Sequence, residues 1–71
     1  MKKILIRTEP TELYKILKFE GLVGTGGEAK TVIAGGLITL NGNIETRKRK
    51  KIMAGDILNF NDEKYVIELE K

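Results

Sequence analysis

The hydrophobic period of this chain changes from helical to strand-like at Gly35-Gly36, and that change limits what the chain can fold into. Before it, Leu13, Ile16 and Leu17 recur at helical spacing, and Ala29, Val32 and Ile33 repeat the pattern at i, i+3 and i+4. After it, apolar residues come in short runs divided by turn residues. Leu37-Ile38-Thr39-Leu40 meets Asn41-Gly42, the strongest short-range hairpin signal, and returns as Asn43 to Thr46. Ile57 to Phe60 and Tyr65 to Leu69 form a second pair across a turn at Asn61 to Lys64, after an earlier turn at Ala54-Gly55-Asp56. With Lys2 to Thr8 as a first strand, the order is β-αα-ββ-ββ. That is an α+β domain, two short helices in a helix-turn-helix-like pair packed on a small, mostly antiparallel sheet.

The helix boundaries follow from local chemistry. Thr8 is placed to cap a first helix over about residues 9–20, with Pro10 in its first turn and Gly21 as its stop. Thr25-Gly26-Gly27-Glu28 reads as a capping box: the Thr25 hydroxyl accepts from the Glu28 amide, and the Glu28 carboxylate reaches back to the Thr25 N–H. The second helix then runs to Gly35-Gly36.

Composition excludes more than it suggests. Among 71 residues there is no Cys and no His, so the chain has no thiolate nucleophile, no disulfide, no imidazole base and no cysteine- or histidine-ligated metal. We therefore expect a non-enzymatic protein without cofactor, metal or small-molecule substrate. Ile4-Leu5-Ile6 is too short for the apolar part of a signal peptide, and the Val32 to Leu40 region is broken by Gly35, Gly36 and Thr39, so a cytoplasmic protein with no membrane partner is expected. The length implies one domain over residues 1–71, and a monomer rather than an oligomer.

The net charge is +3, yet Arg47-Lys48-Arg49-Lys50-Lys51 alone carries +5. Such a run suits a polyanion, since Lys and Arg displace counterions from phosphates; a solvated loop or a guarded sheet edge would also account for basic residues here. If the run is extended, its side chains alternate and not all five face one ligand. Two further sets join it. Gly26 and Gly27 open a helix N-terminus to an anion, although the spacing of a nucleotide-binding P-loop is not met. Lys15 and Lys18 lie one turn apart on the first helix, and Lys30 starts the second. Tyr14, Phe19, Phe60 and Tyr65 are scattered, with at least two expected in the core, so a nucleic-acid ligand would be folded or double-stranded and read through shape and phosphate.

Several of these features occur in one order. Leu17-Lys18-Phe19, the stretch Gly21-Leu22-Val23-Gly24-Thr25-Gly26-Gly27-Glu28-Ala29-Lys30, Ile33, Gly35-Gly36, Ile38-Thr39-Leu40-Asn41-Gly42, Glu45-Thr46-Arg47-Lys48, Lys51 and Gly55-Asp56 follow one another. Over roughly residues 8–60 the chain resembles the small RNA-binding domain named after ribosomal small-subunit protein four. That domain also occurs in bacterial tyrosyl-tRNA synthetases, pseudouridine synthases and the ribosome-associated heat-shock protein fifteen. The likeness is greatest to its short stand-alone bacterial members of the YaaA/YbcJ type. The resemblance implies RNA lying along the N-terminal end of the second helix and the nearby hairpin. By position, contacts would come from Thr25, Gly26, Gly27 and Lys30, with Asn41-Gly42 shaping the hairpin and Arg47, Lys48 and Lys51 on phosphates. Many members carry Arg after the capping residue; this chain has Gly26, so contact there rests on backbone amides.

Together these readings predict binding of structured RNA, ribosomal RNA in ribosome assembly or maturation being the target the resemblance implies. The candidate contacts are Lys15, Lys18, Thr25, Gly26, Gly27, Lys30, Asn41, Arg47, Lys48, Arg49, Lys50 and Lys51. The rival is a protein-interaction module whose basic run docks an acidic partner and whose sheet edge adds a strand. A DNA-reading helix-turn-helix is weaker, because the second helix offers only Glu28, Lys30 and Thr31 to base edges.

Overall fold

The computed structural model describes residues 1–70. Its elements are β1 (Lys2–Ile6), β2 (Thr11–Glu12), α1 (Leu13–Phe19), α2 (Gly26–Ala34), β3 (Thr39–Leu40), β4 (Asn43–Ile44), β5 (Lys51–Ile52), β6 (Ile57–Phe60) and β7 (Glu63–Leu69). Five strands form one sheet in the order β1-β7-β6-β3-β4; β2 and β5 form a separate two-stranded ribbon. All pairings are antiparallel except β1 with β7, which runs parallel in the register Lys2↔Tyr65 to Ile6↔Leu69. The expected α+β architecture is therefore present, with the helix pair on a mostly antiparallel sheet.

Alternation decides which face of the sheet carries the core. On β1, Ile4 and Ile6 are buried while Leu5 is exposed; Leu58 and Phe60 on β6 and Tyr65 and Ile67 on β7 point the same way. The helices lay Leu13, Ile16 and Leu17 of α1 and Ala29 and Ile33 of α2 into this layer. Leu13, Leu17, Ile33, Ile38 and Ile52 are fully sequestered, and each contributes about 1.5–3 kcal/mol by leaving water.

Both helices end as their glycines require. Gly21 (φ 70°) and Gly36 (φ 76°) adopt left-handed backbone. Each sits in a paired-carbonyl stop: Gly21 N donates to Lys18 O and Leu22 N to Leu17 O, and Gly36 N donates to Ile33 O and Leu37 N to Val32 O. The hairpins also follow their turn residues. Asn41 (φ 52°) and Gly42 (φ 89°) join β3 to β4, and Asn61 (φ 53°) and Asp62 (φ 63°) join β6 to β7. Two consecutive left-handed residues are what a tight type I′ turn needs. The second turn is thus two residues long, and Glu63 and Lys64 belong to β7 rather than to the turn.

The start of α1 departs from expectation. Thr8 is not its cap, and Pro10 lies before it. The helix begins at Leu13 because Thr11 and Glu12 are held in an antiparallel pair with Ile52 and Lys51. Thr8 instead accepts, through its carbonyl, a 2.6 Å bond from the Thr11 hydroxyl. The basic segment is not extended either: Lys50 N donates to Arg47 O at 3.1 Å, so the chain turns at Lys48-Arg49.

Candidate nucleic-acid interface

The basic turn is anchored at both ends. Leu13 N donates to Lys50 O at 2.9 Å and Tyr14 N to Lys48 O at 3.0 Å, so the first amides of α1, which no residue within the helix could satisfy, are met by carbonyls of the basic turn. At the other end stands Glu45, the one buried charged residue described. Its carboxylate accepts from Arg47 N (3.0 Å), Nε (3.0 Å) and Nη2 (3.2 Å). These bonds, from the Arg47 side chain first and its backbone second, hold the Glu45 carboxyl down at about 2, against an opposing push from burial. The same bonds raise the Arg47 guanidinium above its ordinary value.

This sorts the five cations. Arg47 is committed to Glu45, and its role is to fix the turn while its outer face stays exposed. Lys48, Arg49 and Lys51 are exposed and Lys50 is half-buried; none of the four makes an ion pair among the described residues.

The helices bring further cations to this region. Tyr14, whose amide is bonded to Lys48 O, is half-buried, and its ring lies 5.1 Å from Lys30 Nζ and 6.0 Å from Lys15 Nζ, within or at the limit of cation–π attraction. Lys15 also pairs with Glu12 at 3.3 Å. The Lys18 side chain lies along the start of α2, where a Cβ on Gly26 would meet its Cδ at 3.9 Å. Lys18 therefore fills space beside the position where a larger residue at 26 would project.

At that helix start, Glu28 N donates to the Thr25 hydroxyl at 3.0 Å, as expected. The Glu28 carboxylate, however, accepts from Gly24 N at 2.6 Å rather than from Thr25. The box closes one residue further out, leaving the Gly26 and Gly27 amides as first-turn donors with a carboxylate nearby. Asn41 is occupied by the hairpin itself: its Nδ2 donates to Asp56 Oδ1 at 3.1 Å and its Oδ1 accepts from Ile57 N at 2.9 Å.

The structure thus brings Lys15, Lys30, Lys48 and Lys50 together around the α1 start, sets Lys51 beside Glu12 through the β2–β5 pair, and sets Lys18 beside Gly26. Two residues outside the predicted set organise this region, Tyr14 and Glu45. An acid two positions before a five-base run was the available sign for Glu45. For Tyr14, adjacent to the apolar face and one turn from Lys18, the sequence held no comparable sign. Among the described residues, no group of three His, Cys, Asp or Glu is placed to hold a metal ion, and no helix is long and apolar enough to cross a membrane.

Comparison with known proteins agrees with this architecture. YbcJ of Escherichia coli K12 is 47% identical over 49 residues, covering 69% of this chain and 70% of that protein, and YbcJ of Shigella flexneri matches to the same extent. The solution structure of E. coli YbcJ, described as revealing an alfaL motif involved in RNA binding, superposes with a TM-score of 0.71 at 36% identity, over 96% of this chain and 87% of that one. The 30S ribosomal protein S4e of Thermoplasma acidophilum shares the fold, with a TM-score of 0.70 at 23% identity over 84% of this chain and 32% of its own. Residues 4–68 match the S4 domain, and the chain belongs to that family.

Proposed function

We propose that this chain is a single, non-enzymatic domain that binds structured RNA, with ribosomal RNA or a ribosome-assembly intermediate as its target. The observation that carries the reading is the basic turn. Lys48, Arg49, Lys50 and Lys51 have no carboxylate partner among the described residues, and the carbonyls of Lys48 and Lys50 tie them to α1 while Glu45 fixes Arg47. A solvated loop would not need three independent anchors. A backbone anchored in this way has little freedom left to lose when its cations meet phosphates, so more of the electrostatic attraction appears as affinity. Lys15 and Lys30 widen the positive region around Tyr14, and Lys18 with the Gly26 and Gly27 amides extends it to the α2 start. Asn41 shapes the β3–β4 turn in this reading and makes no base contact of its own. The involvement of E. coli YbcJ's motif in RNA binding supports the assignment, and the likeness in fold to a ribosomal protein supports the choice of target.

The test is crosslinking of the protein to RNA in its own cells, followed by sequencing of what is recovered. Concentration of the crosslinks in one ribosomal RNA helix supports the proposal. Recovery no better than that of a Lys-rich control of equal charge refutes it and favours docking of an acidic protein partner.

A further inference from the structure

The aromatic residues divide unevenly. Phe60 and Tyr65 are in the core and Tyr14 is half-buried, but Phe19 is 70% exposed at the C-terminal end of α1. A lone exposed aromatic is unremarkable in a soluble protein; its surroundings give this one significance. Phe19 lines an open cleft of about 410 Å³ together with Thr8, Pro10, Thr11, Glu12, Lys15 and Lys51. Lys15 and Phe19 lie at i and i+4 on one face of α1, and Glu12 sits at the N-cap just before them. Lys51 is brought to that face because its backbone pairs with Glu12 in the β2–β5 ribbon. Glu12 is already engaged by Lys15 at 3.3 Å, which leaves Lys51 as the cation of the cleft without an ion pair among the described residues.

We propose that this cleft holds one unpaired nucleotide of the bound RNA, its base stacked on Phe19 and its phosphate against Lys51. The proposal rests on the RNA-binding reading above and adds to it a chemical preference, for RNA with a bulged or looped-out nucleotide over a continuous duplex. An aromatic surface flanked by cations is the arrangement by which proteins take unstacked bases: the ring supplies a face that any base matches, and the cation follows the backbone. Lys51 ends the basic turn, so one strand contacting Lys48 and Arg49 reaches the cleft without leaving the positive surface. Phe19 buries little against its own protein, which leaves its ring accessible to a ligand.

The experiment compares a short RNA duplex with the same duplex carrying one bulged 5-iodouridine, using the full chain, Phe19→Leu and Phe19→Ala. We expect the native protein to bind the bulged RNA about tenfold more tightly, the equivalent of one stacked base. Irradiation should join the iodouridine to Phe19, identified by mass spectrometry of the peptide. Phe19→Leu keeps an apolar side chain and should abolish the preference and the crosslink while leaving affinity for the continuous duplex unchanged. Unaltered duplex affinity and an unaltered melting temperature show that this variant remains folded. Equal binding of both RNAs by the native protein, or a preference that survives both substitutions, overturns the stacking proposal and leaves RNA binding standing. Binding of neither RNA refutes the RNA-binding reading itself, and the nucleotide site with it.

Discussion

Helix α2 starts on a cap made by its own neighbours: the Thr25 hydroxyl meets the Glu28 amide, and the Glu28 carboxylate meets Gly24 N. Helix α1 has no side-chain cap at Glu12 and starts instead on the carbonyls of Lys48 and Lys50, from a segment far along the chain. Both arrangements satisfy first-turn donors, but they have different consequences. A local cap stabilises its helix and little else. A borrowed cap also fixes the segment that lends the carbonyls, and here that segment carries the unpaired positive charge. The ordering of the basic turn is therefore part of the folding of α1.

The largest expected effect tests which helix start governs ligand affinity. Replacing Lys48, Arg49 and Lys51 together by Ala leaves the lending carbonyls in place and removes three cations. We expect affinity for structured RNA to fall on the order of a hundredfold at physiological salt, and the slope of log K against log salt to flatten by roughly two. Thr25→Ala should leave that slope unchanged. Equal slopes for the native protein and the triple variant would show that the basic turn makes no phosphate contact. Arg47 is kept out of this set because its loss would strand the buried Glu45 carboxylate and confuse stability with binding.

Next in size is the outer anchor of the turn. Glu45 has its carboxyl held near 2 in the folded state against an ordinary value of 4.5, so its contribution is complete above pH 4.5 and is lost as pH falls from there through about 2. Its partner Arg47 is largely exposed, which reduces the contribution to about 1–2 kcal/mol. Glu45→Gln should therefore lower stability by that amount at pH 7 in urea titrations, with the gap from the native protein closing below pH 4. A gap as wide at pH 2.5 as at pH 7 would mean that the carboxylate's charge is not what anchors the turn.

The same contrast explains what the sequence disclosed. Thr25, Gly21 and Gly35-Gly36 act through bonds to residues a few positions away, and Asn41-Gly42 through two consecutive left-handed backbone conformations, so their residue types announce the second helix, both helix stops and the first hairpin. The run Ile4-Leu5-Ile6 announces a strand but, being apolar at every position, not which of its sides is buried; the structure buries Ile4 and Ile6. The start of α1 was misplaced because Thr8 and Pro10 carry a valid local signal that a non-local one overrides, the pairing of Thr11-Glu12 with Lys51-Ile52. The bend at Lys48-Arg49 was hidden for a related reason: five consecutive bases specify charge and say nothing of backbone path. The resemblance located the basic residues and included Glu45 without giving it a role, and it did not include Tyr14; both roles depend on contacts made only after the turn docks on α1.

Thr25→Ala removes the local cap and should cost about 1 kcal/mol in melting or urea experiments, while Thr25→Ser should be nearly neutral. Because the basic turn is tied to α1 and not to α2, RNA affinity measured well below the melting temperature should change less than threefold. A larger loss would mean that the two helix starts form one binding unit, and the distinction between them would then hold for folding only.

The smallest effect is the most discriminating. A methyl group added at Gly27 would lie 3.8 Å from Thr25 Oγ1, an ordinary contact, and the position is helical. Gly27→Ala should therefore stabilise the fold, by up to about 0.5–1 kcal/mol, since the unfolded chain loses freedom it no longer has to surrender. Should a phosphate approach the Gly26 and Gly27 amides closely, the same methyl stands in its way, and affinity falls severalfold while stability rises. Opposite signs in the two measurements would place RNA at the α2 start as well as at the basic turn. A gain in stability with unchanged affinity would assign α2's glycines to folding alone and leave the RNA to the turn that caps α1.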